Sequence, residues 1–186
     1  MNGYQSILPY APTAQPIHLN VPRILISHSS HDKMFCDIFV ELLASIGFTN
    51  KTLIYTSKPE FAIPVGKDIY EYLRKHLNRE IWVFFMLSDN FYKSAACLNE
   101  MGAVWIKQSR NFSILLPNFK HEDIKGVINP NQHTFDLCDH VRLTEMLNLF
   151  RRVWQLPINS MRWEAVKNEF VEKISKHYKD AHRGLE

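Results

Sequence analysis

The chain has 186 residues, of which 46% are hydrophobic and 22% are charged, and its formal net charge is +3 at neutral pH. These values are typical of a globular domain, and so small a charge gives no reason to expect a nucleic-acid or anionic-membrane surface. No apolar run approaches the roughly 18 residues of a membrane span, and the N-terminus lacks a basic start followed by an apolar core. We therefore expect a cytoplasmic protein. Three widely spaced cysteines (Cys36, Cys97, Cys138) predict neither a disulfide framework nor a metal site.

The predicted organisation begins with an extended N-terminal arm, residues 1–20, which contains three prolines and no apolar period. Arg23 to Ser27 predict a short buried strand that ends in a polar turn. Apolar residues then recur at helical spacing from Phe35 to Ile46, with Ser30 or Asp32 as the expected cap and Gly47 just past the end. The opening unit is thus strand, polar turn and helix.

The same unit is predicted to recur through residues 21–156. We expect further strands at 52–56, 81–87, 113–117 and 134–137, a helix from about Val65, a helical turn near 122–126, and a helix over 140–154. Residues 157–186 predict a C-terminal helical extension capped by Ser160. Five alternating units favour a flavodoxin-like parallel sheet in the order 2-1-3-4-5, with helices on both faces.

This strand order also predicts where a ligand binds. The chain changes direction between strands 1 and 3, and open α/β sheets bind ligands at that point, beyond the carboxyl ends of the strands. The expected cleft lies between the loop after strand 1 (27–31) and the loop after strand 3 (88–94), with the long loop after strand 2 as a flap.

Three segments resemble the conserved boxes of bacterial TIR (Toll/interleukin-1 receptor) domains: ILISHSSHDKMF, SKPEFAIPVGKDI, which matches the BB loop, and MLSDNFYKSAACLNEMGAVW. The resemblance covers about residues 22–137 and implies the same five-stranded fold. It also implies cleavage of NAD+ between nicotinamide and ribose by a glutamate within the pattern S-x-x-[C/W]-x-x-E. In this sequence the pattern is Ser94, Cys97 and Glu100.

One carboxylate suffices for such chemistry, because nicotinamide in NAD+ is already a cationic leaving group and needs no general acid. We expect Glu100 to hydrogen-bond the ribose hydroxyls and to stabilise the oxocarbenium-like transition state. NAD+ is then a substrate, and no cofactor is expected. Attack by water gives ADP-ribose, whereas attack by an internal nucleophile gives a cyclic isomer. The sequence leaves the two products open.

Helical periodicity alone gives a different interpretation of Glu100. Counted from Phe91, the expected core stripe leaves Glu100 on the opposite, solvated side. Cys97 is expected to be a packed small residue rather than a nucleophile, since no base is marked for it. Ser94 fits a helix cap and a ligand contact equally well. The stripe in question is Phe91, Ala95, Leu98, Gly102 and Trp105.

Further substrate-binding candidates lie in the first two loops. Serines after strand 1 offer hydroxyls and backbone N–H groups at a helix start, which suits phosphate, although capping alone also explains them. Histidines of the same turn have no carboxylate or cysteine partners, and we expect surface positions for His28 and His31. Phe61 and Ile63 are apolar where a solvated loop is polar, so they either cover a ring of NAD+ or contact a neighbouring subunit. The candidates are Ser27, His28, Ser29, Ser30, Ser57, Lys58, Phe61 and Ile63.

The leading hypothesis is an NAD+-consuming TIR enzyme of bacterial antiphage immunity or host interaction. In this hypothesis it self-associates through TIR–TIR contacts and supplies a nucleotide product to a downstream effector, without nucleic-acid or membrane partners. Ala96 departs from the family pattern, in which many enzymes carry Trp. The alternatives are a non-catalytic TIR scaffold and a nucleoside deoxyribosyltransferase-like enzyme. The absence of GxGxxG after strand 1 argues against a redox dinucleotide site.

Overall fold

The computed structural model describes residues 21–62, 81–129 and 133–182. Within these ranges five parallel strands form one sheet in the order β2-β1-β3-β4-β5, which confirms the predicted flavodoxin-like arrangement. The N-terminal arm and the helix predicted from about Val65 lie outside the described residues. The strands are β1 (Arg23–Ser27), β2 (Leu53–Ile54), β3 (Ile81–Leu87), β4 (Asn111–Leu115) and β5 (Thr134–Asp136).

Helices cover both faces of this sheet. None of the described helices combines the length and the hydropathy needed to span a bilayer. Short 3-10 turns occupy Ser30–Asp32, Pro59–Phe61 and His121–Asp123. The α-helices are α1 (Lys33–Ser45), α2 (Asp89–Lys93), α3 (Ala95–Ile106), α4 (His140–Trp154) and α5 (Ser160–His182).

Strand β3 is the centre of the molecule, and all seven of its side chains are buried. It pairs with β1 from Arg23–Ile81 to Ser27–Phe85, and with β4 on its other side. Because side chains alternate along a strand, β3 supplies two separate cores. Trp82, Phe84 and Met86 pack with α1, α4 and α5, whereas the alternate residues pack with α2 and α3. The hydrophobic effect thus holds the sheet from both sides.

The helix ends differ in detail from the predicted caps. Gly47 has φ +115°, a value that glycine adopts without steric cost, and it ends the turn after α1 as expected. Helix α1 begins after Asp32, but the Asp32 side chain makes no capping hydrogen bond. The prediction of Ser160 as the cap of α5 is wrong. Asn159 Oδ1 accepts from the N–H of Arg162 at 2.8 Å, so the cap lies one residue earlier.

Helix α5 packs onto the body of its own chain. Trp163, Phe170 and Ile174 are buried and belong to the same core cluster as the helix α1 side chains. The rings of Phe39 in α1 and Phe170 lie 6.2 Å apart between centroids. The buried Lys167 ammonium reaches Thr144 Oγ1 on α4 at 3.0 Å, so a polar contact joins α4 and α5 as well. The last helix therefore contributes to the main hydrophobic core.

Truncating a core residue of α5 tests this contribution to stability. We expect Phe170→Ala to lower the free energy of unfolding by about 3–5 kcal/mol, because it removes a buried ring and leaves a cavity beside Phe39. Met161→Ala lies on the same helix, where Met161 is 86% exposed, and should change stability by less than about 0.5 kcal/mol. Urea unfolding followed by circular dichroism measures both. Equal effects of the two substitutions would contradict the packing role of α5.

Candidate functional site

A hydrogen bond joins the end of β1 to helix α3. Ser27, the last residue of β1, is 2% exposed, and its Oγ donates to Glu100 Oε2 at 2.7 Å. Glu100 is itself partly buried in the second turn of α3. The carboxylate that the resemblance marks as catalytic therefore lies against the predicted cleft, between the chain segments that leave β1 and β3.

A break in the helix explains why Glu100 faces this way. Ser94 adopts an extended conformation, with φ −90° and ψ 111°, and divides the segment into α2 and α3. The stripe predicted from Phe91 through Ala95, Leu98, Gly102 and Trp105 is therefore wrong, because the break resets the phase of the helix. Leu98 is 41% exposed and Trp105 is 60% exposed. The buried positions of α3 are instead Cys97, Met101 and Val104, and Glu100 lies between them.

Burial changes the pKa of the Glu100 carboxyl group. Loss of solvent raises its pKa above the ordinary value, and the Ser27 hydrogen bond opposes this effect by favouring the ionised form. Within the described part of the chain, no cationic side chain forms an ion pair with Glu100. A positively charged ligand beside this carboxylate would therefore find a negative charge that the protein itself leaves uncompensated.

His28 connects the loop after β1 to the loop after β2. Its Nδ1 lies 3.3 Å from the carbonyl oxygen of Ile26, and its Nε2 lies 2.7 Å from Ser57 Oγ. A carbonyl oxygen only accepts, so Nδ1 carries the proton and Nε2 accepts from the Ser57 hydroxyl. Burial lowers the pKa of His28, which keeps the ring neutral. The ring also packs on Tyr55 at 4.6 Å. A surface position for His28 was thus a wrong prediction.

The sequence reasoning missed a buried acid that ties two loops together. Asp32 is 6% exposed, and its carboxylate accepts from the Ser88 hydroxyl and from Asn90 Nδ2, the latter at 2.7 Å. Ser88 Oγ also accepts from the N–H of Phe91 at 2.9 Å, which caps α2. Polar residues in the turns after two neighbouring central strands are a signal that could have suggested this contact.

Residues of the predicted S-x-x-C-x-x-E pattern have distinct local roles. Ser94 Oγ accepts from the N–H of Cys97 at 3.3 Å, so it caps α3. Cys97 is 4% exposed, and burial raises the pKa of its thiol. A thiol in this state is protonated at neutral pH and is a poor nucleophile. Ala96 is exposed on the surface of the helix.

The two remaining serines after β1 differ in their exposure to solvent. Ser29 is buried, and its Oγ accepts from the N–H of His31 at 3.4 Å, whereas Ser30 and His31 are exposed at the start of α1. Of these two serines, Ser30 is therefore the one whose hydroxyl a ligand can reach from solvent.

The described part of the second loop, up to residue 62, packs on α1. Lys58 Nζ lies 2.8 Å from Glu41 Oε1, and Phe61 is half-buried against the core that contains α1. The backbone of this loop is held by a bond from the N–H of Tyr55 to the carbonyl oxygen of Phe61 at 3.0 Å. Ile63 lies outside the described residues. Among the described residues, no group of three His, Cys, Asp or Glu side chains is placed to hold a metal ion.

Comparison with known proteins gives a relative and a fold neighbour. The chain is 45% identical over 152 residues to the uncharacterized protein YddK of Bacillus subtilis (strain 168), and the match covers 82% of this chain and 57% of that protein. The chain thus spans little more than half the length of this relative. No family model matches the sequence.

One solved structure of similar fold is the TIR domain of the Toll-related receptor TRR-2 from Hydra magnipapillata. Its crystal structure gives a TM-score of 0.49 at 16% identity, and the match covers 70% of this chain and 96% of that one. The strand order and the contacts around Glu100 are features of this chain's own structure and do not depend on the similarity to TRR-2.

The burial of Glu100 has a consequence for stability. A glutamate whose folded pKa is raised destabilises the folded state above the unfolded pKa, near 4.5. We therefore expect Glu100→Gln to be more stable than the wild type at neutral pH. The difference should shrink as the pH falls from the raised pKa through 4.5, where the wild-type carboxyl becomes neutral in both states. Urea unfolding across this pH range measures it. Glu172→Gln, at an exposed position, is the control. If the stability difference between Glu100→Gln and the wild type grew as the pH fell, burial of the charged Glu100 would not be destabilising.

The Asp32 carboxylate is expected to hold the two loops together. Asp32→Ala leaves the buried Ser88 hydroxyl and the Asn90 amide without their acceptor, and we expect it to cost about 2–4 kcal/mol of stability. Asp89→Ala removes an exposed acid from the first turn of α2 and should cost less than about 1 kcal/mol. Chemical denaturation of the two variants gives the comparison. Similar losses would show that the Asp32 contacts contribute nothing beyond a surface charge.

Proposed function

We propose that this chain is a TIR-domain enzyme that cleaves NAD+ between nicotinamide and ribose, with Glu100 as the catalytic carboxylate. The observation that carries the proposal is the position of Glu100, partly buried at the carboxyl edge of the sheet and hydrogen-bonded to Ser27 at 2.7 Å. This supports the role that the TIR resemblance gives to the same residue. In addition, sheets of this strand order usually bind ligands between the loops that follow β1 and β3.

The charge state of the site suits a cationic reaction. Burial raises the pKa of Glu100, so placing a positive charge next to it favours the ionised carboxylate and is itself stabilised. NAD+ brings such a charge on the nicotinamide ring, and the charge moves to the ribose as the glycosidic bond breaks. The carboxylate then stabilises the oxocarbenium-like sugar, while nicotinamide leaves as a neutral molecule without protonation.

Neighbouring residues have supporting roles in this proposal. The Ser27 hydroxyl holds one oxygen of Glu100, which fixes the carboxylate and leaves the other oxygen for the ribose hydroxyls. We assign a phosphate contact to Ser30, which is exposed in the 3-10 turn before α1. Water that attacks the sugar cation yields ADP-ribose, and an internal nucleophile of the same molecule yields a cyclic isomer. The neutral His28 and the protonated Cys97 are assigned no proton transfer.

Nicotinamide release tests the proposal directly. We expect purified protein to release nicotinamide from NAD+, and Glu100→Gln to reduce the rate at least about 100-fold, because the transition-state cation loses its counter-charge. The exposed Glu172→Gln should retain wild-type activity. Liquid chromatography quantifies nicotinamide and separates ADP-ribose from cyclic isomers. Equal rates for wild type and Glu100→Gln would reject the assigned role of Glu100.

A second candidate function is a TIR scaffold without catalysis. The observation that favours it is an apolar surface on α3, where Leu98, Trp105 and Ile106 are 41%, 60% and 74% exposed. Surfaces of this kind often mark contacts with other proteins. Absence of nicotinamide release at all protein concentrations, together with self-association that Trp105→Ala weakens, would favour the scaffold over the enzyme. If the rate of nicotinamide release instead rises with self-association, the protein is an enzyme that is active when assembled.

A further inference from the structure

A cleft lies at the amino-terminal edge of the sheet, opposite the end that carries Ser27 and Glu100. Arg110 directly precedes β4 and His133 directly precedes β5, and both line this cleft, whose volume is about 450 Å³. Phe112 and Phe135, from the same two strands, supply part of its floor. The cleft is therefore formed by elements that contribute nothing to the site proposed above.

Helix α4 forms the other wall. The lining positions of α4 recur every three or four residues and so occupy one face of the helix. Met146 and Leu149 lie in the middle of this face, and charged residues lie at its ends. This wall therefore resembles the lining of typical ligand pockets, which have an apolar centre with a few polar groups around it. Its members are Arg142, Glu145, Met146, Leu149 and Arg152.

The charge of the cleft is predominantly positive. Arg142 pairs with Glu145 at 2.8 Å, whereas neither Arg110 nor Arg152 has a carboxylate partner within the described part of the chain. Two guanidinium groups are therefore left uncompensated around one apolar floor. Guanidinium groups present N–H donors in a planar fork that matches the oxygens of a phosphate.

Arg110 is oriented before any ligand arrives. Its guanidinium carbon lies 4.3 Å from the centroid of the buried Trp82 ring and 5.7 Å from that of Phe112. Stacking on an aromatic face leaves the N–H groups at the edge of the guanidinium plane free to donate. A side chain fixed in this way loses little conformational entropy when it binds an anion.

The spacing of the arginines indicates an extended ligand. Arg142 and Arg152 are ten residues apart on α4, which corresponds to roughly 15 Å along the helix axis. A single phosphate is too small to extend from Arg152 to the Arg142 end of this wall, whereas a phosphorylated molecule with an organic body can lie along the apolar floor between the two ends. We propose that this cleft binds a phosphorylated small molecule of the nucleoside diphosphate type. The phosphates would lie against Arg110 and Arg152, and the organic body on the apolar floor.

A structural explanation of the same residues predicts different behaviour. Arginines can cover apolar surface with their methylene groups while the guanidinium stays in water, and they then bind no particular anion. In that case substitution of the cleft residues would affect stability alone. The proposal does not rest on NAD+ cleavage, and the two can fail separately.

Calorimetric titration with ADP and with inorganic pyrophosphate tests the proposal on the full chain. We expect Arg152→Gln to weaken ADP binding at least about tenfold, because one charge-assisted phosphate contact is lost. Glu145→Gln should tighten ADP binding several-fold, since it removes the only acid of the described cleft and frees Arg142. Lys51→Gln, an equal loss of charge at an exposed site elsewhere, should leave binding unchanged.

Amide chemical shifts in nitrogen-15-labelled protein locate the bound probe. Perturbations by ADP at residues 110–112, 133–135 and 142–152 would support the proposal. Perturbations confined to residues 27–32 and 88–100 would overturn it, because they would place ADP at the site of Glu100. The proposal also fails if ADP does not bind at millimolar concentration, or if Arg152→Gln and Lys51→Gln reduce binding equally. The opposite signs expected for Arg152→Gln and Glu145→Gln keep the result independent of any loss of stability.

Discussion

The direct pairing of β1 with β3 is the constraint on which the candidate site depends. Five residue pairs, from Arg23–Ile81 to Ser27–Phe85, hold the two strands side by side and parallel. The chain therefore leaves both strands at the same edge of the sheet, although residues 28–80 separate the two strands in sequence. Burial of β3 on both faces maintains this pairing through the hydrophobic effect. The contacts from Ser27 to Glu100 and from Asp32 to Ser88 are both consequences of it.

Two acids at this edge, the buried Asp32 and the partly buried Glu100, have different hydrogen-bond partners. Asp32 accepts hydrogen bonds from two side chains, one on each of its oxygens, so its carboxylate is occupied within the protein. Glu100 accepts from Ser27 on one oxygen, and burial raises its pKa. A buried carboxylate with several donors stabilises geometry, whereas one with a single donor retains capacity for a ligand. We infer from this contrast that Asp32 stabilises the loops, whereas Glu100 can still bind a ligand through its second oxygen.

The sequence predicts the sheet well, because its signals are local. A run of seven apolar residues indicates that β3 is a central strand. The polar turns after β1 and β3 indicate the edge of the sheet where ligands bind. The face of Glu100 was harder to predict. Periodicity assumes one continuous helix, and the extended conformation at Ser94 divides it. The pairing of Asp32 with Asn90 joins residues 58 positions apart, and no periodicity encodes such a contact. Only the assembled strand order brings them together.

The sheet separates two polar regions of opposite character. The carboxyl edge presents Asp32 and Glu100, whereas the amino edge presents Arg110 and the arginines of α4. Strands β3 and β4 run between these regions, and their buried side chains are packed on both faces. Coupling between two sites requires an element with two stable arrangements, and a strand buried in this way offers no second arrangement at low cost. A ligand at the amino edge should therefore add its binding free energy to that of a ligand at Glu100. Regulation of one site by the other would have to pass through the loops or helices that border them, rather than through the sheet.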